Sequence, residues 1–114
     1  MRKPLLLTII AAITAAGLPA AVSAQAGRVL SGTDGARLLA FCSSTRQGDQ
    51  GYCYGYITGV VDELALQGAI CVPVQFDQVI AVARSHLSAS GPDLKKHATF
   101  LVRRVLKATY PCKR

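Results

Sequence analysis

Cys42, Cys53, Cys71 and Cys112 are the residues of this chain best equipped for chemistry. A thiol redox site needs two cysteines separated by two residues, zinc needs short cysteine knuckles or clustered histidines, and haem attachment needs a histidine directly after a close cysteine pair. None of these patterns is present: ten residues separate Cys42 from Cys53, and His86 and His97 fall at no recognised ligand spacing. Asp62 and Glu63 are adjacent, so on a helix they diverge and make a poor acid and base pair. The sequence therefore predicts no catalytic, cofactor-binding or metal site, and a binding protein rather than an enzyme. The four cysteines remain as structural crosslinks.

The start of the chain explains how those crosslinks could form. Arg2 and Lys3 precede an apolar run from Leu5 to about Leu18, and Val22-Ser23-Ala24 offers small residues for cleavage. That is the three-part pattern of a secretory signal. Cleavage is expected after Ala24, with Ala26 as second choice, so residues 1–24 are read as a leader, 25–32 as a flexible segment and 33–114 as the folded domain. A membrane anchor is the weaker reading, because Gly17 and Pro19 interrupt the apolar run and no second hydrophobic span follows. Export to an oxidising compartment favours pairing of an even number of thiols. After cleavage about 90 residues remain, and a domain that small buries only about two-thirds of its surface, so covalent staples contribute much of its margin.

The formal charge of +7 falls to +5 when Arg2 and Lys3 leave with the leader. The basic residues Lys95, Lys96, Arg103, Arg104 and Lys107 are expected on a solvated helix face, with no aromatic side chains interleaved as base-stacking platforms would be. Nucleic acid is thus not an expected partner, nor is a membrane after the leader is removed.

Hydrophobic period predicts an all-α fold, a small bundle of four main helices. Thr33 or Asp34 caps a first helix over about 34–44, with Leu38, Leu39, Phe41 and Cys42 at helical spacing, and Gly48 and Gly51 mark the loop after it. Cys53, Tyr56, Ile57, Val60, Val61 and Leu64 define a second helix over 52–67, stopped by Gly68. Within it Gly55 and Gly59 are expected to mark a tight crossing in the core. Cys71-Val72-Pro73 is a break, with Val72 to Phe76 at most one short extended piece, because a residue before proline avoids helical geometry. Phe76, Val79, Ile80, Ala83 and Leu87 define a third helix over about 75–88. Pro92 suits the first position of a fourth, whose buried face is Leu94, Ala98, Leu101, Val102, Val105 and Leu106 and which Pro111 ends. In an up-down bundle the end of the first helix meets the start of the second, and the ends of the second and fourth helices meet. That layout prefers Cys42–Cys53 and Cys71–Cys112 among the three possible pairings.

The run Cys53-Tyr54-Gly55-Tyr56-Ile57-Thr58-Gly59-Val60-Val61-Asp62, followed by Cys71-Val72-Pro73, Gln78, Pro92, Ala98, Leu101-Val102 and Tyr110-Pro111-Cys112, resembles the Rap/Tai family of periplasmic immunity proteins. Gly35, Leu39 and Cys42 fit the same pattern, so the resemblance spans about Ser31 to Cys112. It implies an all-helical periplasmic protein of type VI secretion that binds a peptidoglycan amidase effector, occludes its substrate groove and often acts as a homodimer. The motif residues build the scaffold, so contact positions are sought on exposed loops: Arg46, Gln47, Asp49 and Gln50 between the first two helices, and Ser90 and Asp93 before the fourth. Tyr52 and Tyr54 are divided evenly between core packing and recognition. Two other functions fit an exported helical domain. A periplasmic stress chaperone would expose apolar surface at low pH, and a small-ligand carrier would enclose a sizeable apolar pocket.

Overall fold

Asp34 starts the fold by turning its carboxylate onto the first turn of a helix, accepting the Arg37 N–H at 2.8 Å. The computed structural model describes Gly17, residues 32–72 and residues 75–113. Apart from Gly17, the leader with its cleavage point after Ala24 and the segment 25–31 lie outside the described residues, as does Pro73. The helices are α1 (Gly35–Ser43), α2 (Gln47–Leu66), α3 (Phe76–Ser88) and α4 (Ala98–Thr109), with a 3-10 turn at Gly91–Lys95 before α4. No strand occurs among the described residues. Phe76 opens α3, as the third helix expected over about 75–88 requires, and so does not belong to an extended piece.

Each helix contributes fully buried side chains to one core: Leu38 from α1, Ile57 and Leu64 from α2, Val79 and Leu87 from α3, and Leu101 and Leu106 from α4. Gly68, at φ +69°, turns the chain out of α2, and the Ala69 N–H reaches back to the Leu64 carbonyl at 2.9 Å. Two disulfides tie the helices together covalently. Cys42 pairs with Cys53 and Cys71 with Cys112, and a hydrogen bond of 2.9 Å from the Cys71 N–H to the Tyr110 carbonyl fixes the second closure.

Several local expectations are corrected. Helix α2 begins at Gln47, not Tyr52, so Gly48 and Gly51 lie inside its first turns. The Cys42–Cys53 crosslink and the Ser44–Asp49 hydrogen bond at 2.8 Å hold that stretch despite its poor helix propensity. Helix α4 begins at Ala98, and Pro92 sits in the separate 3-10 turn. Gly55 and Gly59 do not make a tight crossing: a Cβ at either would meet nothing within 4 Å. The close approach belongs to Gly35, where a Cβ would collide with the Leu101 side chain and lie 3.2 Å from the Leu94 Cα. The layout is also not a strict up-down bundle, which would put the starts of α1 and α4 at opposite poles. A bridge between Asp34 and His97 joins those starts, with Gly35 N–H donating to the Lys96 carbonyl at 2.9 Å and Ala98 N–H to the Thr33 carbonyl at 3.0 Å. The cysteine pairing holds because it needs only the two helix-end meetings.

Candidate interaction surface

All four cysteines are consumed in disulfides, and among the described residues no group of three or more His, Cys, Asp or Glu side chains could hold a metal. What the fold presents is surface. Arg46, Gln47, Asp49 and Gln50 lie at the start of α2, where Ser44 organises them. Its hydroxyl donates to the Asp49 carboxylate at 2.8 Å and accepts the Arg46 N–H at 3.1 Å, while Gln50 Nε2 donates to the Ser44 carbonyl at 3.0 Å. Asp49 also pairs with Arg46 Nε at 3.6 Å. Asp49 and Gln50 therefore hold the α1–α2 connection together. The Arg46 side chain remains 83% exposed.

Ser90 and Asp93 form a second patch. The Ser90 hydroxyl donates to the His86 carbonyl at 2.6 Å, and the Asp93 N–H donates to the Ser90 carbonyl at 3.0 Å. The Asp93 carboxylate pairs with Lys96 Nζ and with an Arg104 guanidinium nitrogen, each at 3.3 Å. Hydrogen bonds from Lys96 and Arg104, with their charges, hold its carboxyl below the usual carboxylate range, against a smaller opposing effect of desolvation. The two patches are separate: the Asp93 turn joins the start of α1 through Lys96, whereas Arg46–Gln50 follow its end, about 13 Å along the helix.

Tyr52 and Tyr54 are both partly exposed, and each packs its ring on a phenylalanine. Tyr52 hydrogen-bonds Thr33 Oγ1 at 2.7 Å and packs its ring 4.4 Å from that of Phe41, tying α2 to α1. Tyr54 is half-exposed, with its ring 5.0 Å from Phe76. Tyr56 reaches Thr99 Oγ1 at 2.7 Å and ties α2 to α4.

Sequence reasoning missed an aromatic among the cations. Phe100 is half-exposed on α4, with Lys96 Nζ 5.4 Å and Arg104 Cζ 5.6 Å from its ring centroid. This overturns the expectation that no aromatic interleaves with the basic residues. Its signal was the four-residue step from Phe100 to Arg104, which puts both on one face of α4, while Lys96 reaches the ring from the extended link that precedes the helix. Each cation–π contact contributes about 0.5–1 kcal/mol at an exposed site.

His86 lies between this patch and the core. Its Nε2 is buried without a hydrogen-bond partner. Desolvation lowers its pKa below the ordinary imidazole value, Arg104 lowers it further, and Asp93 acts in the opposite direction. His86 also borders a surface groove of about 530 Å³ between α3 and α4, with Val82, Ser85, Ala89, Val105 and Thr109 among its walls. His97 caps the start of α4, its Nδ1 accepting the Thr99 N–H at 3.2 Å.

Compared with known families, residues 34–112 match the family described as Rap1a immunity proteins. No curated protein and no solved structure matches the chain.

Proposed function

Because the chain belongs to the Rap1a immunity protein family, we propose that it is an exported immunity protein that neutralises a peptidoglycan amidase effector of type VI secretion by covering the effector's substrate groove. The observation that carries this reading is the extent of the match: residues 34–112 contain the four helices of the described residues and both crosslinks, so the likeness is to a whole folding unit and not to a short motif. Family membership supports an inhibitor rather than an enzyme. The leader-like residues 1–24 and the two disulfides support a periplasmic site of action, where thiols oxidise and peptidoglycan is cleaved.

Inhibition by occlusion needs a rigid body and a complementary surface, with no bond made or broken by the inhibitor. The core and the two covalent closures provide the rigid body, which limits the ordering cost of binding. The test is protection. Cells producing the full chain together with each of a panel of periplasm-directed amidase effectors should survive one member of that panel. Lysis with every member, at verified periplasmic levels of the chain, contradicts the proposal.

A further inference from the structure

We propose that the outer face of α4 and its preceding 3-10 turn, centred on Phe100 between Lys96 and Arg104, is the surface on which this chain docks an acidic face of its protein partner. The inference rests on the immunity reading and goes beyond it by assigning the contact surface and the partner's chemistry.

Charge is distributed unevenly over the bundle. Residues 91–109 carry Lys95, Lys96, Arg103, Arg104 and Lys107 against Asp93 alone, whereas α2 carries Asp49, Asp62 and Glu63 and no basic residue. The positive excess therefore gathers on α4 and the turn before it. Leu101, Val102 and Leu106 turn α4 inward, which leaves Phe100, Arg104 and Lys107 on its exposed side. Such a field attracts a carboxylate-bearing surface and accelerates its encounter.

The patch also has the composition of a binding hot spot, an aromatic ring and an arginine side by side. Its geometry is set before any partner arrives. Asp93 holds Lys96 and Arg104 at 3.3 Å each, and both cations flank the Phe100 ring. Side chains already fixed in position lose less freedom on docking. One guanidinium nitrogen of Arg104 faces Asp93, and the fork retains further donors for a partner carboxylate. Asp93 acts here as a positioning residue, not as a contact. A single aromatic ring, with no further rings of the described residues beside it for successive bases to stack on, favours an acidic protein face over a nucleic-acid strand.

The experiment uses the purified amidase against which the unaltered chain protects cells, and measures its Kd for that chain and for Phe100→Ala, Arg104→Glu and Leu66→Ala. Leu66 is 89% exposed and serves as an apolar control away from the patch. Melting curves confirm that each variant folds. Phe100→Ala and Arg104→Glu should each raise Kd on the order of tenfold or more, with Leu66→Ala unchanged. Binding by the unaltered chain should weaken with added NaCl, and Arg104→Glu should remove most of that dependence. Equal binding by all three variants overturns the docking surface while leaving the immunity reading intact. Loss of a homodimer by light scattering in Phe100→Ala, with effector affinity unchanged, overturns it by assigning the face to a second copy. Retention of a labelled single-stranded oligonucleotide through the same residues, with effector affinity unchanged, overturns it in favour of nucleic acid. If no effector binds the unaltered chain, the immunity reading and this inference fall together.

Discussion

Replacing Gly35 and Gly59 by alanine should move stability in opposite directions, although both residues lie in helices. At Gly35 the added methyl runs into Leu101, which is fully buried and cannot swing outward, and lies 3.2 Å from the Leu94 Cα. Relief requires α1 to move away from α4 and the 3-10 turn, which strains the 2.9 Å bond from the Gly35 N–H to the Lys96 carbonyl. Overpacking of this kind costs about 1–3 kcal/mol, offset by up to about 1 kcal/mol of improved helix propensity. Because the added methyl meets both the Leu101 side chain and the Leu94 backbone, the upper part of that range applies, and a net loss of about 1–2 kcal/mol follows. It is a large share of the roughly 4–12 kcal/mol expected for a domain of about 80 residues. At Gly59 nothing lies within 4 Å of the new methyl, so only the propensity gain of about 0.5–1 kcal/mol remains. Urea denaturation of the oxidised proteins at neutral pH should give midpoints on either side of the unaltered chain with equal m-values. Thermal midpoints should differ by about 4–8 °C per kcal/mol. A neutral or stabilising Gly35→Ala would refute the close approach of α1 to Leu94 and Leu101.

Removing the Cys71–Cys112 crosslink with paired alanines should cost about 4 kcal/mol, since a ring of sequence separation 41 constrains the unfolded chain strongly. A loss under about 1 kcal/mol in urea denaturation would show that the closure contributes little. His86 has a lowered pKa in the folded protein, so the unfolded chain binds its proton first as pH falls. Stability is therefore full above about pH 6.5 and declines below it. Denaturation midpoints from about pH 7.5 to about pH 5.5 should fall less in His86→Gln than in the unaltered chain, and an unchanged slope would contradict that assignment. Mass spectrometry of the periplasmic fraction should find a chain beginning at Gln25, and an intact Met1 would contradict the leader reading.

Much of the fold was legible because it is written in local chemistry. Asp34 announces a helix start by offering an acceptor to the first-turn N–H groups, and Gly68 announces a stop by adopting positive φ. The cysteine pairing followed from which helix ends meet. The extension of α2 back to Gln47 was not legible, since Gly48 and Gly51 carry loop propensity and a disulfide with a serine-to-aspartate hydrogen bond overrides it. Gly55 and Gly59 misled in the other sense: four-residue spacing places them on one face without saying whether that face looks inward. The surface was harder to read than the core. Arg46, Gln47, Asp49 and Gln50 were recognisable as polar, but the engagement of Asp49 and Gln50 by Ser44 depends on how α1 turns into α2. The buried Nε2 of His86 depends on packing around α3, which no local pattern encodes. Phe100 could have been found from its four-residue step to Arg104 on α4, whereas its contact with Lys96 depends on the extended link before the helix.

Titration of inhibition tests most directly whether this chain covers the groove of an amidase effector, as proposed. Purified oxidised chain, added stepwise to the effector against which it protects, should abolish cleavage of isolated peptidoglycan at a fixed stoichiometry. An active-site fragment of the peptide substrate should compete with the chain for the effector. Undiminished cleavage at saturating chain, or binding that leaves turnover intact, would contradict the account.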